Sequence, residues 1–162
     1  KIGTAEKLPF PNNTFFIVVC LDVLYHKRIK SDMVALREIY RVMKKDGILI
    51  LTDSANKKLW SRHDISAHAR TRYDKTEIGN KLRECKFSVL KLSYYNFFLF
   101  PLVYFYRKFD NAINKNKKIE TNVKETNFII NSLLYSILLF EGWLLKYIDF
   151  PLGVSIFCIA NK

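Results

Sequence analysis

The residues that decide the fold are Phe15-Phe16-Ile17-Val18-Val19-Cys20-Leu21 followed by Asp22-Val23-Leu24-Tyr25-His26, and, further on, Ile48-Leu49-Ile50-Leu51-Thr52 followed by Asp53-Ser54-Ala55. Each is a short apolar run, rich in β-branched residues, that ends on an acidic residue. Such runs suit strands buried on both faces of a parallel sheet. An acidic residue at a strand's carboxyl end is how an open α/β sheet builds a ligand crevice. Between the two runs, Ser31 can cap a helix reaching about Met43, with Leu36, Ile39, Tyr40 and Met43 on one face and Arg37, Glu38, Arg41 and Lys44 on the other. Asp46-Gly47 is expected to end that helix, Gly47 supplying the permissive backbone of a helix exit.

Downstream the alternation continues. After a polar stretch from Asn56 to Tyr73, Asp74-Lys75-Thr76-Glu77 reads as a capping box opening a helix with Ile78, Leu82 and Cys85 at helical spacing, and Phe87 to Tyr95 reads as a strand. Strand, helix, strand, helix, strand predicts an α/β fold with a parallel sheet and right-handed crossovers. From Asn96 to Tyr106 the chain is aromatic and uncharged, broken by Pro101. Residues 110–127 are polar and rich in Lys and Asn, the composition of a mobile loop. Phe128 to Ile148 is a long apolar helix, and after Pro151-Leu152-Gly153 a final strand runs from Val154 to Ala160. The uncharged run Thr126 to Phe140 is shorter than the roughly 20 residues a membrane span needs. Packing of this helix against the aromatic stretch is favoured over an interfacial position at a membrane.

Half of the 162 residues are hydrophobic (49%), enough for one domain with a real core. The three cysteines lie in apolar strand-like or helical runs and make no even framework, so buried free thiols in a reducing cytosol are expected. The net charge of +12 is scattered, with no dense run beyond Lys115 to Lys118, and aromatic and basic residues are not interleaved as on a base-stacking surface. It is read as compositional bias, without a nucleic-acid partner.

Gly3-Thr4-Ala5-Glu6-Lys7-Leu8-Pro9-Phe10, the strand to Leu21 with Asp22 to His26, the helix Ala35 to Gly47 and the strand Ile48 to Thr52 together resemble a class I S-adenosylmethionine-dependent methyltransferase of the type 11 family. The resemblance implies a partial Rossmann-like doubly wound sheet, the last strands of that fold, with an inserted aromatic and apolar helical segment. It implies one partial domain over residues 1–162: an α/β core at 1–95, a helical insertion at 96–150 and a last strand at 151–162 lying antiparallel beside its neighbours. The glycine-rich loop and second-strand acid by which the family holds methionine and ribose are not among these residues. The chain is therefore read as a C-terminal portion that binds cofactor poorly or not at all. Its Phe16 to Leu21 strand would be an apolar edge open to self-association.

By the same resemblance S-adenosylmethionine would meet Thr4, Ala5 and Glu6 at its adenine, with Thr4 where many relatives have Asp, and Asp22 and Val23 beneath it. His26 would sit near the transferred methyl. The segment Trp60-Ser61-Arg62-His63-Asp64 with His68, Arg70, Arg72 and Tyr73 resembles a pattern found in a subset of these enzymes. His63 beside Asp64 reads as a poised base, and Arg70 with Arg72 as a fork for a carboxylate or phosphate on the acceptor, with His68 and Tyr73 alongside. A metal site at His63, Asp64 and His68 is discounted, since the spacing matches no strong metal motif. The expected function is methyl transfer to a small-molecule acceptor by a cytoplasmic enzyme. The alternative is a non-catalytic binding module, or one attached peripherally to a membrane, built on the same half-sheet.

Overall fold

The computed structural model describes residues 2–113 and 127–162. Strand β1 (Phe15–Leu21) leads through a loop to helix α1 (Asp32–Val42), strand β2 (Met43–Ser54), a 3-10 turn at Lys57–Leu59, the short helix α2 (Arg62–Ser66), helix α3 (Lys75–Glu84) and strand β3 (Ser88–Tyr95). Helices α4 (Phe100–Ile113) and α5 (Phe128–Leu144) follow, and strand β4 (Ser155–Asn161) closes the chain. The four strands lie in the order β1-β2-β4-β3, with β1 and β2 parallel and β4 antiparallel to both of its neighbours. Thus β1, β2 and β3 run the same way, and the last strand slots between the second and third across the inserted helices, as expected.

Helices α1 and α3 place Leu36, Ile39, Ile78 and Leu82 against Leu49, Leu51, Ile156 and Cys158 on one face of the sheet. The α/β class and the Rossmann-like sheet with an antiparallel last strand are those read from the sequence; among the described residues, α1 and α3 cover one face only. The expectation that β1 is buried on both faces fails for this reason: Cys20 is buried, whereas Ile17, Val19 and Leu21 on the opposite face are more than half exposed. β1 is also a sheet edge, paired with β2 alone.

Three local expectations are corrected. Helix α1 ends at Val42 with Met43 as its cap, as expected, but it passes directly into β2, so Asp46-Gly47 lies within the strand and does not end the helix. Asp46 takes the left-handed backbone (φ 61°) assigned above to Gly47. Gly47 is needed instead for close approach, because a Cβ there would stand 2.8 Å from the carbonyl of Lys44 and 3.0 Å from that of Phe16. Asp74 occupies the cap position of α3 without a side-chain cap bond; the first helical amide, Lys75 N–H, donates to the Tyr94 hydroxyl at 3.0 Å, and Glu77 pairs with Lys57 and Lys81.

The segment read as a loop over 110–127 begins within α4, which continues to Ile113, while 114–126 lie outside the described residues. The packing expected of the long apolar helix against the aromatic stretch is limited to one region, where the Phe140 ring lies 5.9 Å from that of Phe98. α5 buries only Glu141, whose Oε2 accepts from Phe98 N–H at 3.2 Å, and it exposes Phe128, Ile129, Leu133, Leu139 and Trp143. No described helix is long and apolar enough to cross a membrane. All three cysteines are buried and free, and burial pushes the thiols of Cys20 and Cys158 up to about 12.

Candidate functional site at the carboxyl ends of β1 and β2

Parallel strands deliver Asp22 and Asp53 to the same end of the sheet, one beyond the Leu21–Thr52 pair and one after it. Asp22 has a left-handed backbone (φ 52°) and its amide donates to Thr52 O at 3.0 Å, which turns the chain sharply out of β1. The turn is then fixed from below. Asp53, fully buried, accepts from Leu24 N–H (2.9 Å) and Tyr25 N–H (3.2 Å) through Oδ2 and from Ser54 N–H (2.8 Å) through Oδ1. Burial raises this carboxyl to about 7 against the pull of those three amides, with the nearby Asp22 charge adding to the rise. Sequence reading placed Asp53 at a strand end and gave it no role. Its signal was present, an acid directly after a buried strand.

A second buried carboxylate organises the next loop. Asp64 Oδ2 accepts from Ser61 N–H (2.8 Å) and the Ser61 hydroxyl (3.2 Å), while Oδ1 receives Arg72 through Nε (2.8 Å) and Nη2 (2.7 Å). Arg107, from α4, adds Nη1 to Oδ2 at 3.0 Å and also donates to Leu59 O at 2.8 Å. The Ser61-x-x-Asp64 spacing is the mark of a helix start and could have located α2. Arg107 carries no local mark, since it lies within an aromatic stretch more than forty residues from Asp64, and the sequence reading missed it.

Beside the Asp64 network opens a cavity of about 240 Å³ lined by Asp22, Tyr25, Ser54, His63, Asp64 and Arg107, together with Arg72 and the approach to β4. At about 240 Å³ it lies just below the usual range of ligand pockets, which leaves room for a small ligand only. His63, exposed by its surface area, has no side-chain hydrogen-bond partner among the described residues; partial desolvation and the neighbouring Arg107 charge lower its pKa below the ordinary imidazole value, so it stands neutral and able to accept a proton. The Asp22 carboxyl, raised by burial, likewise has no described hydrogen-bond or ion-pair partner.

The other sequence candidates are placed differently. Asp64 does not poise His63, because both its oxygens are taken by Ser61 and the two arginines. Arg72 is 3% exposed and spends its remaining donors on Ala55 O (2.7 Å) and Val154 O (3.4 Å), so it is a clamp between loop and sheet, not a free fork for an acceptor. Arg70 is held by Asp32, by Tyr73 Oη (3.2 Å) and by Leu24 O (3.3 Å). Tyr73 is a core residue whose hydroxyl donates to Leu24 O at 3.0 Å. His26 accepts from Arg28 N–H (3.1 Å) through Nδ1, and its ring packs edge-on to His68 at 6.1 Å; neither ring lines the cavity. At the N-terminal loop Thr4 is exposed, and Glu6 accepts from Ser31 N–H at 2.8 Å, which commits its carboxylate to the start of α1. Ala5 and Val23 pack against the core. Among the described residues no group of His, Cys, Asp or Glu is arranged to hold a metal ion.

This architecture, an α/β sheet ending β1-β2-β4-β3 with its crevice at the carboxyl ends of the parallel strands, is the class I methyltransferase fold. In sequence, residues 1–51 match the methyltransferase domain family, a stretch holding β1, α1 and most of β2. The uncharacterized methyltransferase YcgJ of Bacillus subtilis (strain 168) is 43% identical over 51 residues, which is 32% of this chain and 19% of that protein. Among solved structures, phosphoethanolamine N-methyltransferase 2 of Haemonchus contortus in complex with S-adenosyl-L-methionine aligns with 98% of this chain and 35% of its own (TM-score 0.54, 17% identity). The [4+2]-cyclase SpnF aligns with all of this chain and 54% of its own (TM-score 0.53, 15% identity). The chain thus spans about half the length of the cyclase it resembles and about a third of the N-methyltransferase.

Proposed function

We propose that these residues form the acceptor side of an S-adenosylmethionine-dependent methyltransferase acting on a small molecule. Fold alone does not carry this, since a cyclase shares it. The supporting observation is that the family match over residues 1–51 leads into the sheet end where the cavity opens, with a neutral, unpartnered His63 in its wall. Methyl transfer from a sulfonium is an in-line displacement in which the protein positions the acceptor and takes its proton where one must leave. S-adenosylmethionine supplies the electrophilic methyl group. Thr4 and Ala5 would hold the adenine, while the Asp22–Tyr25 turn is held through Asp53 and His63 would offer Nε2 or Nδ1 to the acceptor's proton. His26, bonded to Arg28 N–H, is reserved for orienting that turn.

The five glycines are scattered along the sequence, so no glycine-rich cradle occurs in it and cofactor affinity rests on few contacts. Titrating S-adenosylmethionine into isotopically labelled protein should therefore move the amides of Thr4 to Glu6 and Asp22 to Tyr25 weakly but saturably. Shifts absent from both segments would contradict the proposal.

A second reading is favoured by one observation, the exposure of apolar side chains along α4 and α5. It makes this helical pair a peripheral membrane contact. Flotation with phosphatidylcholine vesicles that survives high salt would support it, and loss of all binding in salt would oppose it.

A further inference from the structure

The buried network around Asp64 contains two guanidinium groups and one carboxylate, and the two arginines are not equivalent. Arg72 has spent its donors on Asp64, Ala55 O and Val154 O. Arg107 uses Nη1 alone, for Leu59 O and Asp64, and its Nε and Nη2 have no acceptor among the described residues although the side chain is only 12% exposed. These two donors keep contact with solvent, since neither is among the fully buried side-chain atoms that lack a partner, and an arginine fork is the geometry that recognises carboxylate or phosphate in two parallel bonds. The side chain lines the cavity. Desolvation and the adjacent Arg72 hold its pKa below the ordinary guanidinium range, so the site gains from added negative charge. Asp64 is shared between both arginines, the cavity's other acid, Asp22, makes no ion pair with Arg107, and His63 is neutral, so two guanidinium charges face one paired carboxylate. Its Nη1 bonds also fix the guanidinium in place, lowering the ordering cost of capture.

We infer that Arg107 is the anchor for an oxyanion on the acceptor, so that the cavity takes a carboxylate- or phosphate-bearing small molecule with its reacting atom toward His63 and Asp22. This rests on reading the cavity as the acceptor site, and it moves the anionic grip from Arg70 and Arg72, where sequence spacing put it, to a residue of the inserted helix.

The test is a titration of the 162-residue protein with sodium acetate and, separately, inorganic phosphate, at constant ionic strength in chloride, observing arginine Nε–H signals. The expected result is a saturable shift of Arg107 Nε–H, and binding about tenfold weaker in R107Q. Tighter saturation by acetate identifies a carboxylate, and by phosphate a phosphate. No saturable shift at Arg107, shifts spread evenly over exposed lysines and arginines, or undiminished binding in a folded R107Q would overturn the inference. If R107Q does not fold, the wild-type Arg107 signal decides alone. Oxyanion capture with no response of Thr4 to Tyr25 to S-adenosylmethionine would leave this site standing and refute methyl transfer; the reverse pattern would refute only the anchor.

Discussion

The two halves of the molecule treat their side chains in opposite ways. In the α/β layer the leucines and isoleucines of α1, α3, β2 and β4 are buried and the buried carboxylates Asp53 and Asp64 are surrounded by donors. In the α4–α5 pair the apolar residues face outward, and the buried residue of α5 is its glutamate. The insertion is tied to the α/β layer by Arg107 on Asp64 and Leu59 O and Asn111 on Trp60 O (3.1 Å), while within it Phe98 meets Phe140 and donates its N–H to Glu141, and Phe97 stacks on Phe150 at 5.1 Å. Apolar composition sets what a segment could bury. Partners decide what it does bury.

The sharpest way to break this contrast is at Asp64. Replacing it with alanine leaves the Arg72 guanidinium buried and unpaired, which should destabilise the α/β layer by about 3–5 kcal/mol. Chemical denaturation would measure it, and a loss under 1 kcal/mol would mean the network is not the joint described. Gly153 comes next. A Cβ there would lie 2.4 Å from Tyr95 O, where the entry to β4 crosses the end of β3, so G153A should cost about 1–3 kcal/mol by the same measurement.

Asp53 gives a pH signature. Its folded value, about 7, lies above the ordinary 3.8, so the folded state binds the proton more tightly than the unfolded chain. This group's contribution is therefore fully present below about pH 4 and is lost as pH rises toward 7. D53N should flatten that part of the stability profile, and an unchanged slope would show that Asp53 is ionised throughout.

The smallest effect is expected on the other side of the comparison. In α5, where Leu133 and Leu139 are 61% and 56% exposed, the L133N/L139N pair should change stability by no more than about 0.5 kcal/mol while reducing vesicle binding. A loss of several kcal/mol would instead show that α5 is packed in solution. On the free edge of the sheet, V19K should reduce concentration-dependent association in sedimentation, because a charge on an exposed edge strand blocks pairing.

Much of the first half was legible because period and punctuation agree there. Ser31 caps α1, the run at Phe15 to Leu21 is β1, and of the two acids at the strand ends Asp22 lines the cavity while Asp53 holds the turn beside it. What misled the reading was side-chain commitment. Arg70, Arg72 and Tyr73 have the chemistry of ligand-binding residues, but pairing with Asp32, Asp64 and Leu24 O depends on contacts with other elements that no spacing records. Arg107 was invisible for the converse reason. Its value comes from α4 crossing Leu59, a contact made over 48 positions of sequence.

The central claim is that the carboxyl ends of β1 and β2 face S-adenosylmethionine. Ultraviolet cross-linking with tritiated S-adenosylmethionine, followed by peptide mapping, tests it most directly. Label on peptides spanning Gly3 to Tyr25, displaced by S-adenosylhomocysteine, is the predicted result. Label confined to α4 or α5, or undiminished by that competitor, would contradict it.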